Sequence, residues 1–121
     1  MPNSLNFTRG AGQDKTFRTV TQDAQQVAYA ASIAVVPVEN YNLYQVAQLT
    51  GALTLTATVT NLYIGDIVRV MFSADATNRV VTFSTGFVSA GTLTVTASKF
   101  AFAEFVFNGT SLQEMGRAVT A

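Results

Sequence analysis

The strongest constraint on the fold is a strict alternation between apolar side chains and threonines. Residues 52–60 alternate apolar residues, such as Leu53 and Leu55, with threonines, and residues 93–98 repeat the pattern. Successive side chains of a β-strand point to opposite faces, so each of these strands has one apolar face and one face covered by threonine. Threonine is also β-branched and favours strands over helices. The pattern therefore predicts half-buried β-sheets.

Short apolar runs of this kind recur from Val27 to the end of the chain, and glycine, asparagine and aspartate separate them. We count seven or eight runs, at spacings close to the roughly 8 to 12 residues typical of antiparallel sandwiches. A chain of 121 residues is long enough to bury one modest core. We therefore predict one all-β domain over residues 26–121, an antiparallel β-sandwich or jelly-roll-like barrel of seven or eight short strands.

Two hairpins are expected within this domain. Residues 66–73 and 79–84 read as strands, and the Asp and Asn of residues 74–78 suit a tight reversal between them. Near the end of the chain, Asn108-Gly109 follows a run rich in phenylalanine. Asn-Gly is the strongest signal for a two-residue type I′ turn, because both residues tolerate a positive φ. We predict a central hairpin and a terminal one.

The first part of the domain leaves two alternatives open. Residues 27–36 alternate larger and smaller apolar side chains, which favours a strand. The alanines of residues 24–34 also suit a helix, for which Thr21 or Asp23 would be the cap.

Residues 1–25 differ from the rest of the chain because they contain few apolar side chains and three of the seven basic residues. Such a segment cannot build a core alone. Its basic residues are interleaved with aromatic ones, which suits a peptide that lies in a groove or adds a strand to a neighbour's sheet. We predict an extended N-terminal arm that becomes ordered against a partner. The candidate assembly residues of the arm are Phe7, Arg9, Lys15, Phe17 and Arg18.

The run at residues 100–107 holds four of the nine phenylalanines. In a strand, the first two and the last two of these residues fall on opposite faces. A strand that is apolar on both faces is either central in a sandwich or packed against another subunit. We predict a subunit interface formed by Phe100, Phe102, Phe105 and Phe107.

The residue types that are missing exclude several kinds of chemistry. Histidine and cysteine are both absent, so no Ser-His-Asp or Cys-His nucleophile and no zinc site of the usual nitrogen and sulfur type can form. Seven basic residues balance seven acidic ones, which gives no basic field for a nucleic acid or a membrane surface. We expect no enzyme activity, no cofactor and no metal, and neither nucleic acid nor membrane as a partner.

A pair of carboxylates is the remaining catalytic possibility, because two acids can hydrolyse a glycoside without histidine. The acids of the domain that we considered are Asp66, Asp75, Glu104 and Glu114. Turn chemistry explains the two aspartates, and cross-strand pairing with a basic residue explains Glu104. The same acids lack the spacing of a calcium loop. We therefore expect structural roles for them.

Residues 44–117 contain a series of short motifs, which are Leu49-Thr50-Gly51-Ala52, Gly65-Asp66, Val81-Thr82-Phe83, Thr85-Gly86-Phe87, Leu93-Thr94-Val95 and the segment 105–115. Through these motifs the stretch resembles the small β-domains of tailed-phage virion proteins, such as head fibres, capsid decoration proteins and tail-fibre modules. Its final hairpin departs from their usual Asp/Asn-Gly-Thr-x-Trp pattern by placing Leu112 where tryptophan is common.

This resemblance implies a non-enzymatic virion protein, a capsid decoration or head-fibre subunit made in the host cytoplasm. It also implies a homotrimer whose partner is the major capsid protein or another shell protein, reached through the arm. The alternative is a tail-fibre or receptor-binding module that recognises host-surface glycan. Sugar sites favour stacking aromatics, and the tyrosines considered for this role are Tyr41, Tyr44 and Tyr63.

Overall fold

The computed structural model describes residues 22–121, which form ten strands and no helix, and hence no helix that could cross a membrane. The predicted all-β class is confirmed. The strands are β1 (Gln22–Val27), β2 (Ser32–Val35), β3 (Tyr41–Val46), β4 (Leu53–Ala57), β5 (Ile67–Ser73), β6 (Arg79–Phe83), β7 (Phe87–Val88), β8 (Leu93–Val95), β9 (Phe100–Phe107) and β10 (Leu112–Val119).

The strands form two sheets, as expected of a β-sandwich. One sheet has six strands in the order β1-β3-β5-β9-β10-β7, and the other has four in the order β2-β4-β6-β8. From β1 to β9 the chain alternates between the sheets, because each strand is followed by one in the opposite sheet. The sandwich prediction is confirmed, although the described residues contain ten strands rather than seven or eight.

The prediction of purely antiparallel pairing is wrong. Five of the eight strand pairings are parallel, including β1 with β3, β3 with β5, β2 with β4, and β4 with β6. The three antiparallel pairings join β5 to β9, β9 to β10, and β6 to β8. Parallel neighbours need a crossover connection. Here a strand of the opposite sheet provides that crossover, which short loops permit.

The predicted central hairpin is also wrong, because β5 and β6 lie in different sheets. Residues 74–78 carry the chain from one sheet to the other. The carboxylate of Asp75 accepts the N–H of Thr77 at 3.2 Å and two hydrogen bonds of 2.8 Å from Arg79. The aspartate does stabilise a change of direction, as its residue type indicates. The turn, however, leads across the sandwich rather than back along the same sheet.

Residues 27–36 form neither a single strand nor a helix. Strand β1 ends at Val27, and β2 begins at Ser32 with Ile33 and Val35 facing the core. Residues 22–25, which we assigned to the N-terminal arm, are part of β1.

The terminal hairpin is confirmed, but its turn is longer than predicted. Phe107 lies opposite Leu112, so a four-residue loop joins β9 to β10. Gly109 has the positive φ of 101° that favours glycine, whereas Asn108 does not. The Asn108 side chain instead accepts the N–H groups of Thr110 and Ser111, both at 2.9 Å. Asparagine therefore stabilises this loop through its side chain rather than through a left-handed backbone.

The core lies between the inner faces of the two sheets. Four phenylalanine rings form its aromatic centre, with centroid separations from 4.8 Å, between Phe87 and Phe105, to 6.2 Å, between Phe72 and Phe83. Tilted and edge-on contacts at these distances add to the gain from burial. Leucines and valines from both sheets surround the rings, and Leu49, Leu55 and Leu112 are fully buried.

Candidate assembly surfaces

Strand β9 sends its phenylalanines to opposite faces, as predicted, but only two of the four face outward. Phe100 is 59% exposed and Phe102 is half-buried on the outer face of the six-stranded sheet. Phe105 and Phe107 face the core and are buried. The prediction that Phe105 and Phe107 contribute to a subunit interface is therefore wrong for the described domain, because both side chains already pack inside it.

Around Phe100 and Phe102, the outer face of the six-stranded sheet is largely apolar. Phe102 lies opposite Met71 on β5 and Ala118 on β10, and Val106 lies opposite Ile67. A shallow hollow of about 510 Å³ opens between these strands. We call this surface the outer patch, formed by Leu43, Ile67, Met71, Phe100, Phe102, Val106 and Ala118. A contiguous apolar surface of this kind is typical of an interaction site.

One ion pair crosses the middle of the outer patch. Arg69 and Glu104 lie opposite each other on β5 and β9, and the Arg69 Nε donates to Glu104 Oε2 at 2.6 Å. This confirms the predicted cross-strand partner for Glu104. The Arg69 side chain is 48% exposed, so it contributes little to stability. The pair places two charged groups in a surface whose other outward side chains are mostly apolar.

The other acids that we considered have structural partners. Asp66 is buried and accepts the backbone N–H of Tyr63 at 2.9 Å. Arg79 beside Asp75 lowers the pKa of the Asp75 carboxyl, and hydrogen bonds from Arg117 lower the pKa of Glu114. Within residues 22–121, no three potential metal-ligating side chains come together. The predicted structural roles agree with these contacts.

Arg117 has a role that the sequence patterns did not reveal. Its guanidinium pairs with Glu114 at 2.7 Å and also donates to the carbonyl oxygens of Thr92 and Gly91. Glu114 in turn accepts the N–H of Ala90 at 2.9 Å. The pair therefore ties the segment before β8 to β10. No local pattern signals such a contact, because the partners are more than twenty residues apart.

A second candidate surface is the side of the sandwich where β1 and β2 lie. Within residues 22–121 these are the terminal strands of their sheets. The side chains of β1 that face inward are Asp23, Gln25 and Val27, and none of them is fully buried. Gln25 donates to Asp23 at 2.7 Å. We call this surface, formed by β1 and β2, the open flank.

Tyr44 is on β3, behind the open flank, and lies opposite Gln25 of β1. The side chain is only 3% exposed, and its hydroxyl is buried without a hydrogen-bond partner in the described part of the chain. Burial raises the pKa of Tyr44 to about 12, and the negative charge of Asp23 adds to the effect. Because the ring is enclosed, Tyr44 cannot stack on a sugar, which contradicts its selection as a glycan contact.

The other two candidate tyrosines are exposed. Tyr63 is 67% exposed in the loop before β5, and Tyr41 is exposed at the start of β3. Both lie at one end of the sandwich, where the N–H of Ile67 donates to the carbonyl oxygen of Asn40. Ile64, beside Tyr63, is more exposed still.

The predicted assembly residues of the arm lie outside the described residues. These are Phe7, Arg9, Lys15, Phe17 and Arg18.

The chain matches no known protein-family model, and no curated protein is significantly similar to it in sequence.

Proposed function

We propose that this chain is a non-enzymatic structural subunit of a tailed-phage virion, of the capsid-decoration or head-fibre kind. It assembles as a homotrimer and attaches to the major capsid protein or another shell protein through its N-terminal residues. The observation that carries the proposal is the outer patch, which leaves Phe100 and Phe102 in contact with solvent in a single copy. The resemblance of residues 44–117 to phage virion domains supplies the virion context.

A second copy is the occupant that fits the outer patch best. A strand with one face toward water normally alternates core residues on its inner face with polar residues on its outer face. Here the outward positions of β5 and β9 are mainly apolar, with the Arg69 and Glu104 pair at their centre. A contact between copies would bury the apolar groups and place that pair where it can set the orientation of the subunits.

The mass of the native protein tests self-association. Light scattering on a sizing column, at two concentrations, should give about three times 12.9 kDa for the full chain. A variant with Phe100→Ser and Phe102→Ser should elute as a monomer with an unchanged circular dichroism spectrum. The control is Val80→Ser, at an exposed valine on the other sheet, which should remain trimeric. A wild-type monomer at both concentrations, or a trimeric double variant, would contradict the proposed interface.

Attachment to a shell needs its own experiment. The full chain should co-sediment with shell particles that lack it, whereas a chain beginning at Gln22 should not. Truncation must stop before Gln22 because β1 begins there. Equal co-sedimentation of both chains would exclude attachment through the N-terminal residues.

The second candidate function is glycan binding, which the exposed Tyr41 and Tyr63 at one end of the sandwich favour. A glycan array probed with the full chain should then show binding that Tyr63→Ala removes. Tyr44→Phe serves as the control, because Tyr44 is enclosed. An array without signal would exclude this function.

A further inference from the structure

The loop between β9 and β10 places Asn108 directly before Gly109, and both residues are exposed. An asparagine in this position can react with its own backbone, because the backbone nitrogen of the next residue can close a five-membered ring with the side-chain amide carbon. Glycine has no Cβ to hinder that approach. The sequence therefore supplies the residue pair that the reaction needs.

The structure adds two hydrogen-bond donors to the side-chain oxygen of Asn108. The backbone N–H groups of Thr110 and Ser111 both donate to Asn108 Oδ1 at 2.9 Å. The Asn108 N–H in turn donates to the carbonyl oxygen of Ser111 at 3.0 Å, which closes the loop. Oxyanion holes place their donors about 2.7–3.1 Å from the oxygen that gains charge. Both donors of this loop are already at that distance from Oδ1 before any reaction begins.

We propose that Asn108 is a deamidation site and that the loop itself promotes the reaction. The backbone nitrogen of Gly109 gives its proton to solvent and attacks Asn108 Cγ, and negative charge collects on Oδ1 as the N–C bond forms. The side-chain nitrogen then takes up a proton and leaves as ammonia, so that a succinimide remains. Water opens the succinimide at either carbonyl, which yields aspartate or isoaspartate at position 108. One water is consumed and one ammonia is released.

The two donors favour the transition state over the starting amide. Hydrogen bonds to a charged oxygen are roughly twice as strong as those to a neutral one. The N–H groups of Thr110 and Ser111 therefore bind Oδ1 more strongly as it becomes negative, and only interactions that strengthen in this way accelerate a reaction. The same bonds hold the Asn108 side chain over the loop, which removes rotations that an unfolded chain would have to lose.

Conversion changes the surface at one end of the sandwich. An aspartate at position 108 adds one acid to a chain in which seven acids balance seven bases. Gly109 lies beside Ile64, since a Cβ atom on Gly109 would be 3.4 Å from Ile64 Cδ1. The new charge therefore appears next to the exposed loop of Tyr63 and Ile64. The proposal depends neither on the trimer nor on the shell partner, because other residues form the outer patch.

Mass spectrometry of proteolytic peptides from the full chain tests the proposal. The protein is incubated at neutral pH, and the converted fraction of Asn108 is followed beside that of a synthetic peptide of residues 103–113 in the same buffer. Asn108 should convert about tenfold faster in the folded chain, which is the factor that one net hydrogen bond supplies. Conversion in the folded chain at the rate of the peptide, or below it, would overturn the proposal.

Asn78 is an internal control for the role of glycine. It is also exposed, and its Oδ1 accepts the N–H of Ala97 at 2.8 Å, but Arg79 follows it. Asn78 should remain unmodified while Asn108 converts. Equal conversion of the two asparagines would overturn the role of Gly109.

Two variants at position 110 test the hydrogen-bond donors. Thr110→Pro removes one of the two N–H groups, whereas Thr110→Ala keeps it and removes only the side chain. With folding verified by circular dichroism, Thr110→Pro should lower the rate of conversion severalfold, and Thr110→Ala should keep the wild-type rate. Equal rates in the two variants would overturn the role of the donors. If Thr110→Pro does not fold, the comparison of the full chain with the peptide decides.

Discussion

At the scale of single residues, Gly86 and Tyr44 are constrained for different physical reasons. Gly86 has a φ of 92°, and a Cβ atom there would lie 2.3 Å from the carbonyl oxygen of Ala57. Gly65 has a similar φ of 95° but open space around it. Tyr44 combines a buried ring with a hydroxyl that has no partner in the described residues, so its ionisation is costly. Backbone conformation, local space and solvation can therefore be tested separately.

Gly86→Ala should destabilise the domain more than Gly65→Ala. Both substitutions force alanine into the left-handed region, which costs roughly 1–2 kcal/mol. Only Gly86→Ala adds a clash with backbone, for which we expect about 1–3 kcal/mol more. Urea unfolding monitored by circular dichroism measures both changes in the free energy of unfolding. Equal losses would show that the contact with Ala57 is not rigid.

Tyr44 should make the domain sensitive to alkaline pH. Between its ordinary pKa of 10.0 and the folded value of about 12, the unfolded chain loses the phenolic proton while the folded chain keeps it. The free energy of unfolding therefore falls as the pH rises through this range, by at most about 3 kcal/mol. Urea unfolding at about pH 9 and about pH 12 should show this loss, and Tyr44→Phe should reduce it.

The control for this substitution is Tyr63→Phe, which removes a hydroxyl from an exposed tyrosine. It should keep the alkaline loss of the wild-type protein. An identical loss in the wild type and in Tyr44→Phe would mean that the Tyr44 hydroxyl is not enclosed in solution.

At the scale of strands, two ion pairs near β10 differ in what they connect. The pair between Glu114 and Arg117 fastens the segment before β8 to β10 and shields the Glu114 side chain to 6% exposure. The pair between Arg69 and Glu104 joins two strands that already share a ladder of hydrogen bonds. The first pair is therefore needed to hold an element in place, whereas the second adds to a contact that would exist without it.

Glu114→Gln should cost about 1–3 kcal/mol at neutral pH, because it weakens charged hydrogen bonds that are shielded from water. The matched control, Glu104→Gln, should cost less than about 1 kcal/mol, as exposed pairs do. Since the pKa of Glu114 is lowered, its contribution is present above the ordinary value of 4.5 and is lost as the pH falls through the folded value. Urea unfolding at neutral pH and at a pH well below 4.5 measures these differences. Equal costs of the two substitutions at neutral pH would contradict the different roles of the two ion pairs.

At the scale of the whole molecule, the alternation between sheets makes nearly every strand pairing distant in sequence. Strands β1 and β3 pair although β2 lies between them in the chain, and β5 pairs with β9 across three intervening strands. The described residues form no helix that could supply local contacts early in folding. Loop closure must therefore precede most of the stabilising contacts.

Refolding should accordingly be slow for a domain of this size, in the range of milliseconds to seconds typical of β proteins with non-local pairing. Stopped-flow dilution from urea, followed by tyrosine fluorescence, measures the rate. The Phe100→Ser and Phe102→Ser variant, as a monomer, separates folding from assembly. Refolding of that variant within microseconds would contradict the topology.

Local residue pattern determined the fold class and much of the turn chemistry. The alternation of Leu53 and Leu55 with threonine predicted a half-buried strand, and Asn108-Gly109 predicted the terminal hairpin, both of which are present. The opposite orientation of the two phenylalanine pairs in β9 followed from the period of two. These features were predictable because a strand's faces and its turns depend on neighbouring residues alone.

Tertiary structure alone decided which strands pair, in which direction, and what covers each face. It placed β5 and β6 in different sheets, enclosed Phe105 in the core and left Phe102 on the outer patch. It also buried Tyr44 and brought Arg117 to the carbonyl of Thr92. A period of two shows that a strand has two faces, but not which face meets the core or which strand lies alongside. Those choices depend on packing between residues that are far apart in the chain.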